Sequence, residues 1–310
     1  MTNLLQSFAR KASRPRLWYK GRPSAPLALR CGAMLSLLAL AGCQQLIVLH
    51  PKGIVAEGTT SLLTGSLIIM LPIVVPTILA ALIFGWWYRS SNTRAKYDPS
   101  FVESGKLELL TWSVPLLTIM LLGSVSWIGS HDLDPAKPLS GEEPLEVQVV
   151  SLDWKWLFIY PDQNVASVNR LVIPAGVPIH FTLTSASVMN AFFVPQLGSM
   201  IYTMNGMATQ LNLQADRPGT FMGLSAMFSG NGFADMHFNT EAVPMADFDA
   251  WAKEAGNGGP TLSSQAYKDL SVQSMKIAPF TYSSVEPGLF DKIVMQALPP
   301  GPGPTTKGGF

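Results

Sequence analysis

The chain has 310 residues, of which 48% are hydrophobic and only 13% charged, with a formal net charge of +1. The charged share is about half that of an ordinary globular protein, which points to membrane segments, and a balance this near neutral gives no electrostatic basis for binding nucleic acid. The two cysteines, Cys31 and Cys43, both precede the long apolar runs, which excludes a disulfide-stapled fold and leaves no thiolate downstream to serve as nucleophile or metal ligand.

Arg10, Lys11, Arg14, Arg16, Lys20, Arg22 and Arg30 form a basic stretch with no acidic residue among them. A short apolar run, "AMLSLLALAGC", follows and ends in small residues, the pattern of an export signal. The ending Leu40, Ala41, Gly42, Cys43 resembles a bacterial lipobox. That resemblance implies a lipoprotein-type signal over 1–42, an acyl-bearing Cys43 and an exported segment over 43–60. A third membrane helix running on to Leu49 is the competing reading. Gln44 and Gln45 interrupt that run and Pro51 ends it.

Two uncharged runs follow, at 61–88 and 109–129, and each is long enough at 1.5 Å per residue to cross a hydrocarbon core of about 30 Å. Pro72, Pro76 and Pro115 would break soluble helices, but helices packed in a membrane tolerate them. Trp86, Trp87 and Tyr88 stand where an interfacial aromatic belt belongs. The joining loop, 89–108, carries Arg89, Arg94, Lys96 and Lys106, so the positive-inside rule places it in the cytoplasm and both flanks outside.

Past a polar linker, the exported domain at 130–243 changes texture to short β-rich runs bounded by the turns "PDQ", "PAGVP" and "DRPG". Val147 to Ser151, Ile179 to Leu183 and Thr209 to Leu213 alternate, which indicates an antiparallel sandwich or Greek-key barrel. Beyond Thr240, "PMADFDAWAKEAG" puts Met245, Phe248, Trp251 and Ala252 on one helical face ending at Gly256, and a second short helix fits Ser263 to Leu270. This helical extension covers 244–298, and a Pro/Gly tail, expected to be disordered, covers 299–310.

The stretch "GLSAMFSGNGFADM" has the spacing of a copper-binding loop. With "DWKWLFIY" and "VMNAFFVP" in order before it, behind a two-helix hairpin, the chain resembles subunit II of the haem-copper terminal oxidases from roughly Cys43 to Val243. The resemblance implies a membrane hairpin followed by an all-β cupredoxin-like Greek-key sandwich. In the cytochrome c oxidase branch that domain holds the binuclear CuA centre. Carried over by position, the first His falls on Asn190, the two Cys on Ser225 and Ser229, the carbonyl donor on Met227, the second His on Phe233, and the Met on Met236. A copper pair needs thiolates and imidazoles. Serine is a hard donor that stays protonated, and phenylalanine offers no donor.

Other chemistries fit less well. The histidines are His50, His131, His180 and His237. Only His237 lies in the loop, and as a strand neighbour of Met236 it points to the other face. Neither Ser225 nor Ser229 sits in a G-x-S-x-G elbow, so they read as loop residues with satisfied hydroxyls rather than nucleophiles. Met189, Met200, Met204, Met207, Met222 and Met227 suggest a copper-trafficking surface, against the commoner use of methionine as core filler.

The branch that lacks the ligands is the quinol oxidases, most closely the cytochrome bo type. Resemblance to it implies a structural subunit of a proton-translocating ubiquinol oxidase in the bacterial inner membrane, with its C-terminal domain in the periplasm. It further implies no cofactor in this chain, two haems and CuB in subunit I, subunits I, III and IV as partners, contact with membrane lipid, and no nucleic acid. A free-standing membrane lipoprotein with a cupredoxin-like binding domain is the alternative, while a cytochrome c oxidase subunit II would need the missing Cys pair.

Overall fold

The computed structural model describes residues 46–96, 98–141, 143–301 and 303. The basic stretch, the signal and Cys43 lie outside the described residues, as does the tail from 304 onward. Two long helices come first, α1 (Ile54–Trp87) and α2 (Gly105–Asp132), both long and apolar enough to cross a membrane. Their apolar side chains face outward, as a lipid-facing or partner-facing pair requires.

Both helices are longer than the uncharged runs at 61–88 and 109–129. At 34 residues, α1 extends roughly 50 Å, well beyond a bilayer core. Its first turn is a docking element. Val55 and Ala56 are buried, the Ala56 amide donates to the Leu197 carbonyl at 3.2 Å, and Lys52 N donates to Gln196 O at 2.8 Å. Gly53 lies so close to the Gln214 carbonyl that a Cβ would sit 2.2 Å from its oxygen. After α2, the Asn212 amide donates to the Pro135 carbonyl at 2.8 Å. Both outer ends of the hairpin are therefore bonded to the β domain.

That domain is a sandwich. One sheet has the order β12 (Phe280–Tyr282)-β3-β2-β1-β5-β8 and the other β4-β10-β9-β6-β7. The strands are β1 (Leu145–Leu152), β2 (Lys155–Tyr160), β3 (Val165–Val168), β4 (Arg170–Pro174), β5 (Ile179–Ser185), β6 (Asn190–Phe193), β7 (Ile201–Thr203), β8 (Thr209–Leu213), β9 (Gly219–Ser225) and β10 (His237–Val243). Most pairs are antiparallel, but β1 with β5 and β4 with β10 are parallel. Alternation marks which face a residue takes and carries no information on the direction of a neighbour, so the expected antiparallel sandwich is a sandwich with two parallel pairs.

Trp156, Phe158, Tyr160, Phe181, Phe192 and Phe238 fill the space between the sheets, with Phe192 stacked on Phe238 at 5.3 Å. The C-terminal extension makes a second core. It contains α3 (Met245–Ala255), β11 (Thr261–Leu262), α4 (Ser264–Ser271), β12 (Phe280–Tyr282), β13 (Ser284–Val285) and α5 (Leu289–Val294), so strands join the expected helices. Tyr267, Tyr282, Leu289, Phe290 and Ile293 bury Val150, Leu152, Leu157 and Ile159 from the outer side of the six-stranded sheet. All six residues of β2 are buried for this reason, which is why its sequence runs without alternation. On α3, Phe248 and Trp251 pack against Tyr160, while Met245, expected on that face, is exposed.

Candidate functional site

The loop resembling a copper site joins β9 to β10. Because Phe192 on β6 is paired with Ser225 on β9, Asn190 is carried to the same end of the sheet as the start of the loop. Both side chains are buried, Asn190 at 1% and Ser225 at 2% exposure. The Ser225 hydroxyl lies 3.2 Å from Asn190 Oδ1 and 3.3 Å from the Met227 carbonyl, and the Asn190 amide nitrogen reaches the Val188 carbonyl at 3.3 Å. Beneath them, Ser151 and Thr203 share a hydrogen bond of 2.7 Å, and Asn190 Nδ2 stands 3.5 Å from Ser151 Oγ. Ser225 N donates to the Met236 carbonyl at 3.0 Å, closing the base of the loop.

Of the sequence-predicted positions, Asn190, Ser225 and the Met227 carbonyl are thus joined, and Met236 is tied to them through its backbone. The Met236 side chain is 1% exposed and belongs to the core between the sheets. Phe233 packs edge-on against Phe228 at 5.6 Å, and Phe228 projects from the loop at 74% exposure. The Ser229 hydroxyl is buried yet finds no partner among the described residues, so the expectation of satisfied hydroxyls holds for Ser225 and is corrected for Ser229. His237 is exposed while Met236 is buried, so the two do not converge, although Met236 ends the turn before β10 rather than lying in the strand.

The side chains at the ligand positions are amide, hydroxyl, phenyl and one core thioether, and the Asn190 amide and Ser225 hydroxyl bond to each other and to backbone. Such a set lacks the thiolates and imidazoles that a copper pair requires, and a lone thioether does not replace them. Among the described residues, no group of three or more His, Cys, Asp or Glu side chains comes together. The methionines are a further correction. Met189, Met200, Met207 and Met222 are 38–51% exposed, so these four lie at the surface rather than fill the core.

Sequence reasoning singled out "DWKW" for its aromatics and missed its polar roles. Leu152 pairs with Lys155, so Asp153 and Trp154 form a two-residue hairpin turn. Trp154 has φ 65°, a left-handed conformation that costs a bulky residue roughly 1–3 kcal/mol. Its indole Nε1 donates to the Ser229 carbonyl at 3.1 Å. Its ring lies against Gly232, where a Cβ would come within 2.2 Å of the indole. Lys155 is 1% exposed, and its ammonium donates to the Val272 carbonyl at 2.7 Å and to the Ser274 hydroxyl. Burial lowers its pKa to about 8, against the opposing pull of the nearby Asp153 carboxylate. The signal available in the sequence was a charged pair flanking an aromatic inside a strand that is otherwise apolar.

The family described as "Cytochrome C oxidase subunit II, periplasmic domain" matches residues 157–243, and "COX Aromatic Rich Motif" matches 257–301. The second match covers the extension that forms the outer core. A periplasmic domain of this kind behind two membrane-type helices fits an inner membrane protein. The ubiquinol oxidase subunit 2 of Acetobacter aceti is 50% identical over 268 residues, covering 86% of this chain and 87% of that protein. The cytochrome bo(3) ubiquinol oxidase subunit 2 of Pseudomonas aeruginosa is 42% identical over 276 residues, covering 89% and 82% respectively. A crystal structure of the periplasmic domain of subunit II of cytochrome oxidase from Bradyrhizobium japonicum aligns with a TM-score of 0.35 and 23% identity, covering 37% of this chain and 96% of that one. That score adds nothing to the assignment, which rests on the two full-length relatives. The chain belongs to the ubiquinol oxidase subunit 2 family.

Proposed function

We propose that the chain is subunit II of a proton-translocating ubiquinol oxidase and carries no metal centre of its own. The observation that supports this most is the 50% identity to a ubiquinol oxidase subunit 2 across 86% of the chain. The donor set at the loop agrees with it. Asn190, Ser225, Ser229 and Phe233 stand where a copper relay would need imidazoles and thiolates, and Asn190 and Ser225 are bonded to one another. A quinol dissolved in the membrane does not require a relay on the periplasmic side. Oxygen reduction then belongs to a haem-bearing subunit I with two haems and CuB, with subunits III and IV completing the complex.

In this reading the hairpin packs against subunit I and the sandwich caps its periplasmic face, while an acyl-bearing Cys43 adds a lipid anchor. Intact mass of the mature chain tests the anchor: a chain that retains Met1 to Gly42 without lipid contradicts it. The assembly is tested by purifying the full chain through a C-terminal tag in mild detergent. Co-elution of a haem protein with the optical spectrum of two haems is the expected outcome. A chain that elutes alone from membranes that contain the oxidase favours the free-standing lipoprotein.

A further inference from the structure

Hairpin tips are ordinarily exposed, yet the tip between β1 and β2 is buried throughout, with Asp153 at 3%, Trp154 at 4% and Lys155 at 1% exposure. Each of the three reaches a different part of the chain. The Asp153 carboxylate accepts a hydrogen bond from the Ser187 hydroxyl, in the segment that leads into Asn190. Trp154 holds the middle of the loop, through Ser229 on one side and Gly232 on the other. Lys155 holds the extension where it crosses the sandwich, at Val272 and Ser274.

The turn residues are also the wrong ones for a turn. A two-residue hairpin with a left-handed second position ordinarily uses Gly or Asn there. A tryptophan in that conformation persists only where its surroundings fix it, and here the fixing groups are the loop backbone and the Gly232 surface. Gly232 itself has φ −91°, so glycine is required there for space rather than for conformation.

We propose that the Asp153–Trp154–Lys155 turn is a mechanical coupler that pins the metal-less loop and joins its order to that of the C-terminal extension. In a loop with a metal, the ligands themselves hold the backbone. In this loop the ends are fixed by Ser225 N to Met236 O and by Ala226 N to Ala191 O at 2.9 Å, and the Trp154 indole fixes the centre. Lys155, the next residue, transmits the position of the extension to that indole. A direct ion pair between loop and extension, Lys276 to Asp235 at 3.9 Å, has its ammonium 77% exposed and contributes little by comparison.

Hydrogen exchange on the full chain in detergent tests the coupling, because coupling between two sites is reciprocal. Lys155→Ala is expected to speed exchange on the order of tenfold in residues 272–277 and also in the loop amides of Phe233, Asp235 and Met236. Gly232→Ala, which displaces the indole, is expected to speed exchange in the loop and also at 272–277. Lys276→Ala is expected to leave the loop unchanged. Two segments that each respond only to the variant within their own contact overturn the proposal. If Lys155→Ala also loses protection in β5, and so unfolds globally, Ser274→Ala decides. It removes one acceptor and leaves the turn intact, and loop exchange at the wild-type rate in that variant overturns the coupling.

Discussion

Asn190 and Ser225 share a hydrogen bond at the positions where a copper pair would take an imidazole and a thiolate. Leaving a buried polar group unpaired costs about 1–3 kcal/mol, and this bond, together with those from Asn190 to Val188 and from Ser225 to Met227, is what makes the two residues tolerable in a closed loop. If the loop has kept its path and lost only its donors, restoring them restores the metal. The variant Asn190→His, Ser225→Cys, Ser229→Cys, Phe233→His, made in the full chain, is expected to form a coloured thiolate–copper complex on addition of copper, and the wild type none. Copper bound by the wild type with comparable affinity contradicts the reading of the site. The ligand positions themselves were legible in the sequence because spacing survives the loss of donors. Two things were not legible: that Ser151 and Thr203 lie beneath them, and that Ser229 keeps a buried hydroxyl without a partner among the described residues. Both depend on strands brought together from distant parts of the chain.

At the level of elements, the hairpin and the alternating strands were readable because each has a strong local period. In the extension the helices at Met245–Ala255 and Ser264–Ser271 were readable from their apolar spacing and bounds, but its strands were not, and what it does, covering Leu157 and Ile159 on the outer side of β2, is visible only when the sheet is assembled. One electrostatic tie holds it. Glu286 accepts from the backbone and side chain of Ser264 at the start of α4 and from the Lys292 ammonium at 2.6 Å. These bonds, that to Lys292 foremost, lower its pKa from 4.5 to about 2. A carboxylate depressed in the folded state stabilises it fully above its unfolded pKa, and the contribution is lost as pH falls from 4.5 through about 2. Exchange protection in residues 261–271 is therefore expected to decline over that window, after correction for intrinsic rates. Glu286→Gln should weaken protection at neutral pH and flatten the decline. An unchanged profile in the variant contradicts the tie. The hairpin carries its own test. A cysteine at Arg94 should react only with membrane-permeant reagents, and one at Asp162, exposed on the sandwich, also with impermeant ones. Labelling of both from outside contradicts the cytoplasmic placement of the connecting loop.

Across the whole molecule, a membrane hairpin and a β domain are bonded through Lys52, Ala56 and Asn212, so neither is a loosely tethered module. Such a junction suits a chain that presents its sandwich at a fixed height above the bilayer. The extension adds a second layer to one sheet, and the loop that a metal would stiffen is fixed by hydrogen bonds. In the proposed reading, Asn190, Ser225, Ser229 and Phe233 offer no copper pair its thiolates and imidazoles, and the electrons come from a quinol in the membrane rather than from a carrier at the periplasmic surface. Steady-state oxygen consumption by the complex isolated through a tag on this chain tests that claim most directly, with a short-chain ubiquinol and with reduced cytochrome c supplied separately. Turnover with ubiquinol and none above background with cytochrome c is the expected result. Comparable turnover with cytochrome c would contradict it, because electrons would then be entering through a domain whose residues offer them no carrier.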